Sequence, residues 1–269
     1  GAAPAFLTFF VRIFVPESER WQESQKSVVK NHPLREVLRP PLLRSTVLAT
    51  VLASVALIGT WGSVQWLPLW ADKMAQEQGV RDALKESGIA PEAVAASVAT
   101  ASPAVLARAK ELKDHNAKAY TQVNSALGAV LGCILGGWLG GKLARRHGYF
   151  ALCLLSLITC AWLFRGFSTY SGTFLALTFA VGGVTAAFYG WFPLYLPELF
   201  PTRVRATGQG LSFNAGRILA AVGALQMGAL MQHFQGDYAQ AGAVITLIYL
   251  VGLIVIWIAP ETRGKALPS

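Results

Sequence analysis

One arginine stands inside a long apolar stretch of this chain: Arg217, within the run from Ala206 to His233. A guanidinium at bilayer depth costs about 2.5 to 3.5 kcal/mol on insertion scales, so an arginine kept there binds or pairs with something. Asn214 precedes it by three residues and shares its face on a helix. Together the two offer amide and guanidinium donors to a single carboxylate, and burial does not switch off the charge of an arginine. If the helix starts near Ala206, Arg217 lies 11 residues in, or about 16 Å deep at 1.5 Å per residue. That is close to the middle of a hydrocarbon core about 30 Å thick. Trp61 and Gln65, one turn apart, and Asn124, Tyr189 and Trp191 are the remaining polar and aromatic candidates for the same site. The alternatives are an arginine that snorkels to the cytoplasmic side or pairs with a fixed carboxylate elsewhere, and aromatic residues that form an interfacial belt.

The elements that must hold these residues are written in the distribution of charge. Of 269 residues, 54% are hydrophobic and 14% charged, well below the roughly 25% of an average soluble domain. Lipid is the expected solvent. Charge-free runs long enough to span occur at 45–71, 119–141 and 238–260, giving helices at 45–71, 119–143 and 238–260, with further spans expected at 147–166, 172–197 and 206–233. Residues 1–15 are too short to cross and are expected to be the end of a helix that starts before the chain does. The fold class is therefore an all-α membrane protein, a six-helix bundle with its first helix truncated.

The net charge of +9 sits in short loops rather than on one face of a globule, so no nucleic-acid partner is expected. The loop 16–44 carries Arg20, Lys26, Lys30, Arg35, Arg39 and Arg44; later turns carry Lys142, Arg145 and Arg146, then Arg203 and Arg205; the tail 261–269 carries Arg263 and Lys265. An excess of Lys and Arg marks the cytoplasmic side, and all these loops fall on one face. The exception is 72–118, whose seven basic and seven acidic residues balance. Its Ala, Glu and Lys content and the Ser102-Pro103 cap pair predict an external helical hairpin.

Gly128, Gly132, Gly136 and Gly140 recur every fourth residue and predict a flat ridge for close helix packing. Cys133, Cys153 and Cys160 lie in apolar segments and imply neither disulfides nor a metal site. No H-E-x-x-H or G-x-S-x-G pattern and no cluster of His or acid ligands occurs in the spans, so neither an enzyme nor a cofactor is expected.

The stretch LPELFPTRVRATGQGLSFNAGR, Leu196 to Arg217, resembles the loop and helix joining transmembrane helices 10 and 11 of the major facilitator superfamily. PESER, Pro16 to Arg20, is similar to the PES-x-R motif after helix 6 of its sugar-porter-like members, and PETRG, Pro260 to Gly264, to the PET-x-G motif after helix 12. GGWLGGKLARRHGY, Gly136 to Tyr149, occupies the place of the helix 8 to 9 motif, with Gly141 where an aspartate is usual. The sialate, niacin-type and organic-ion branches look nearer than hexose porters, which carry paired glutamines where this chain has only Gln65.

The resemblance implies the C-terminal half of a twelve-helix carrier, the N-terminal six-helix half being a missing partner. It implies a cytoplasmic gate of Glu17, Arg20, Arg145, Arg146, Glu198, Arg205 and Glu261, and at Arg217 it implies an anionic substrate. The expected function is secondary active transport of a small organic anion by alternating access, as a proton-coupled symporter. The setting is the cell membrane, multi-pass, with the lipid bilayer and a small-molecule substrate as partners and a monomeric state. The alternatives are a carrier of neutral sugars or polyols, with Arg217 structural, and a non-transporting receptor or adaptor using the insertion 72–118.

Overall fold

A computed structural model of the chain describes residues 3–14, 32–88 and 101–268. The described residues are helical throughout, with α1 at Ala3–Phe14, a short α2 at Pro33–Val37, and α3 at Leu42–Gly62. A 3-10 turn, Val64–Trp66, joins α3 to α4, Leu67–Glu86, and α5, Pro103–Leu112, folds back on α4. The bundle continues with α6, Ala117–Lys142; α7, Arg145–Gly166; α8, Gly172–Glu198; and α9, Arg205–His233. The last span is split into α10, Tyr238–Thr246, and α11, Ile248–Val255.

Five helical stretches are long and apolar enough to cross a membrane, beginning at Leu42, Pro103, Arg145, Gly172 and Tyr238. α9 is longer than most, at 29 residues, yet carries Gln209, Ser212, Asn214 and Arg217. It packs along α3 in parallel, with Gly216 against Ala53 and Ser54, so its polar residues lie in the bundle that the other spans define. Outward-facing side chains include Leu127, Ile134 and Trp138 of α6, Ile158 and Trp162 of α7, and Ile254 of α11, each more than half exposed. Apolar exposure on that scale fits a lipid-facing surface.

Two elements differ from the sequence expectation. The first span does not stop at residue 71: α4 carries it past the 3-10 turn to Glu86, so the hairpin is a direct extension of the membrane helix. Pro68 has no amide proton, and the Ser63 hydroxyl bonds back to the Gly59 carbonyl, which together bend the chain without ending it. α5 starts on the Ser102 cap as expected but stops at Leu112, and extended Lys113 separates it from α6. The last span breaks at Leu247, where the Thr246 hydroxyl bonds to Ala243 at 2.8 Å.

Packing at the centre is of two kinds. α6 and α8 meet backbone to backbone: a Cβ at Gly128, Gly132 or Gly136 would collide with the carbonyls of Phe179, Gly183 and Ala187. The glycine ridge is thus a packing surface. Behind it, Tyr149, Phe188, Trp191, Phe192, Tyr195 and Tyr249 form a buried aromatic cluster, and the Tyr149 hydroxyl donates to the Leu52 carbonyl at 2.8 Å. Trp191, a candidate site residue by sequence, belongs to this core and is fully buried.

The hairpin has a small core of its own, Val80, Ala83, Leu84 and Ala109. Lys113 pairs with Asp72 at 2.8 Å, and Lys73 donates to the Gly236 carbonyl at 2.9 Å. These bonds tie the hairpin to the outer ends of the spans.

Candidate functional site

Arg217 lies 12 residues beyond the start of α9 at Arg205, about 18 Å along the axis. Its side chain is exposed on this bundle and lies over the Phe213 ring, 5.0 Å from the centroid. Among the described residues it makes no hydrogen bond or ion pair. Two adjoining recesses meet at this guanidinium. One, of about 420 Å³, lies between α8 and α9 and includes Tyr189, Phe192, Gln209, Phe213 and Asn214. The other, of about 550 Å³, is bounded by Leu57 and Trp61 of α3 and by Ala220 and Ala221.

Four of the seven residues expected around the site are thereby brought together: Arg217, Asn214, Tyr189 and Trp61. Asn214 is exposed and spends its amide on the Gly210 carbonyl at 2.7 Å, leaving its side-chain carbonyl open to a ligand donor. The Tyr189 hydroxyl is buried near Thr60 without a well-formed hydrogen bond. Trp61 is 52% exposed, so it presents a ring face to the recess rather than to the core.

Gln65 lies one turn beyond Trp61, on the 3-10 turn, and lines a separate recess of about 170 Å³. Thr60, Gln122, Ser125 and Thr185 line it too. Asn124 does not. It sits four residues before Gly128, in line with the packing ridge, whereas Gln122, Ser125, Ala126 and Ala129 form the stripe that faces the recess. The helical period of 3.6 carried the signal that separates the two, and Gln122 takes the place expected for Asn124.

At the end of the bundle where α6 gives way to α7 and α8 ends, the charged residues form one network. Arg145 and Glu198 make a two-pronged ion pair, Nε to Oε2 at 2.8 Å and Nη2 to Oε1 at 2.6 Å, and Thr262 donates to Glu198 at 2.6 Å. Arg145 also donates to the Gly140 carbonyl, so α6, α7, α8 and the tail converge on one guanidinium. Glu261 caps the start of α7 by accepting the backbone N–H groups of Arg145 and Arg146 at 2.9 and 3.0 Å, and that of Arg263 at 3.1 Å. Burial acts to raise the Glu261 carboxyl, but these amide donors outweigh it and hold it below the usual carboxylate range.

Two residues expected in ion pairs act otherwise. The Arg146 side chain donates to the Ala259 carbonyl at 2.7 Å, and Arg205 donates to the carbonyls of Pro197, Phe200 and Pro268. Both sit beside chain ends whose carbonyls lack helical partners, which is where a guanidinium satisfies most acceptors. Glu17 and Arg20 lie outside the described residues.

Residues 150–269 match the family model described as "Sugar (and other) transporter". The whole chain aligns at 25% identity with a probable 4-methylmuconolactone transporter of Cupriavidus pinatubonensis, covering 54% of that relative. The fold is similar to that of a solved XylE double-tryptophan mutant, with a TM-score of 0.50 and 16% identity over 83% of this chain and 47% of that one. These matches are to transporters, and they support the resemblance to the major facilitator superfamily. A shorter stretch, 35% of the chain, is 36% identical to the inner membrane metabolite transport protein YhjE of Escherichia coli, covering 20% of it. The chain spans about half the length of the relative it matches end to end. Its five long apolar helices and the fold it shares with the solved transporter fit a multi-pass membrane bundle.

Proposed function

We propose that this bundle serves a secondary active transporter of the inner membrane that carries a small organic anion by alternating access, with Arg217 binding the carboxylate. One observation carries the reading: a guanidinium about 18 Å into α9, without an ion pair among the described residues, open to two recesses. An unneutralised charge at that depth is costly, and a carboxylate substrate offsets the cost while gaining two charge-assisted hydrogen bonds. Phe213 and Trp61 beside it supply apolar walls, and the open side-chain carbonyl of Asn214 a polar anchor.

The ion-paired cytoplasmic network is the proposed inner gate. It joins the ends of α6, α7 and α8 to the tail, and a rocking carrier needs contacts that differ between its states. If transport is driven by protons, the titrating carboxylate lies outside the membrane-depth residues described for this bundle, since its acids sit at helix ends or in the hairpin. The name of the Cupriavidus relative puts a small lactone metabolite among the candidate substrates.

Uptake of labelled monocarboxylates by cells expressing the whole protein tests the reading. Arg217→Ala should lower uptake roughly ten- to a hundred-fold, as expected for loss of a charged hydrogen-bonding pair. Arg217→Lys, which keeps the charge but not the fork, should fall between. Unchanged uptake in both removes Arg217 from the site. A neutral polyol or sugar as substrate is the second reading, favoured by the uncharged recess of Gln65, Gln122, Thr60 and Thr185. Competition by uncharged analogues alone would select it.

A further inference from the structure

At the cytoplasmic end, between α2 and the loop from α8 to α9, lies a recess of about 400 Å³ that the transport reading does not use. Its charged lining is His32, Arg35, Glu36, Arg39 and Arg203. The single acid is already engaged: Glu36 Oε1 accepts Arg203 Nε at 2.9 Å and Nη2 at 2.5 Å. Arg35 and Arg39 are exposed and, among the described residues, bond to nothing through their side chains. Among the described residues the recess therefore keeps two guanidinium groups without an acid partner, one turn apart.

The surroundings fix what kind of anion fits. α2 is pinned to the base of α3 by buried Val37, whose carbonyl accepts the Thr46 hydroxyl at 2.7 Å. With that side held, its other side chains face outward: Leu34 is 55% and Leu38 48% exposed, beside the two arginines. Leu42, at the start of the membrane helix α3, borders the recess, and Leu43 and Val47 continue the exposed apolar line toward the hydrocarbon. Basic and apolar residues thus alternate beside the start of a helix long and apolar enough to cross a membrane. A soluble phosphate compound would satisfy the arginines but leave the leucines in water.

We propose that this recess binds the phosphate of an anionic phospholipid, with Arg35 and Arg39 donating to its oxygens and the exposed leucines meeting its acyl chains. Guanidinium forks match phosphate oxygens two at a time, and basic recesses at the cytoplasmic ends of spans suit such headgroups. The site is independent of Arg217, which lies in the interior of α9.

Native mass spectrometry of the whole protein in neutral detergent, given equimolar phosphatidylglycerol and phosphatidylcholine, tests this. Retention should favour phosphatidylglycerol by about fivefold or more, as expected for attraction by basic residues at an anionic headgroup. The preference should fall to near parity in Arg35→Gln/Arg39→Gln and persist in part in Arg35→Lys/Arg39→Lys. Should the glutamine variant fail to fold, loss of the wild-type preference at about 0.5 M salt, where charges are screened within a few ångströms, reads the same interaction. Parity in the wild type, or an unchanged preference in the glutamine variant, overturns the proposal. Displacement of the lipid by millimolar inorganic phosphate would assign the recess to a soluble phosphate and overturn it as well.

Discussion

Single residues divide into those that line the recesses and those that hold the bundle, and one helical turn decides which. Gln122 and Asn124 are two positions apart on α6, yet Gln122 lines the outer recess with Gln65 while Asn124 falls in line with the glycines. The amide of Gln122 is therefore available to a substrate. Gln122→Leu should raise the KM for outward-presented substrate roughly three- to tenfold, the loss of one neutral hydrogen bond. Asn124→Leu should act on expression and stability instead, and uptake kinetics normalised to the amount of protein in the membrane would separate the two. The same geometry places Trp61 at the cavity and Trp191 in the core, although the sequence treats them alike.

Elements are joined by backbone contact on one side and by caps on the other. α6 and α8 approach so closely that the ridge glycines have no room for side chains. Gly132→Val should cost about 1 to 3 kcal/mol or more, since the clash is with the Gly183 backbone and cannot be relieved by a rotamer change. Thermal unfolding of the detergent-solubilised protein would measure it. Gly141, with nothing within 4 Å of its would-be Cβ, is the control expected to tolerate alanine. The bend between α3 and α4 has the opposite character: Pro68 and Ser63 interrupt the regular helix beside Gln65, and α4 then carries the chain on into the hairpin. A motion of that segment would move Gln65 and the hairpin together.

For the whole molecule, the end of the bundle that holds the start of α3 and the tail is joined by one seam. Arg203–Glu36, Arg145–Glu198, the Glu261 cap and the Tyr195–Pro260 bond link loops that are distant in sequence. Because the Glu261 carboxyl is held below the usual range, its contribution is complete at neutral pH, where it is ionised in the folded and the unfolded protein alike. It declines as pH falls through the ordinary carboxylate range and is lost below the folded value. Glu261→Ala should therefore lower stability by about 0.5 to 2 kcal/mol at pH 7, the range for loss of a helix cap, and by less at pH 4. Melting temperatures of both proteins across that window would check it; an equal difference at both pH values would exclude the ionised cap.

Much of this architecture was legible before any coordinates. Runs of apolar residues mark five stretches able to cross a membrane, because only a helix of about 20 such residues satisfies its own backbone in lipid. The isolated charge of Arg217 and the every-fourth-residue glycines named the cavity helix and the packing ridge for the same reason: each is a local property of a helix. Sequence did not reveal that the first span runs on into the hairpin, since Pro68 ends some helices and only bends others. Nor did it reveal that Arg145, rather than Arg146 or Arg205, holds Glu198. Several arginines stand within reach of the same acids, and which one pairs depends on the angles at which α6, α7 and α8 meet. Local chemistry determined the elements and their sidedness; partner choice among like charges, and the face each polar residue presents, were decided by packing in three dimensions.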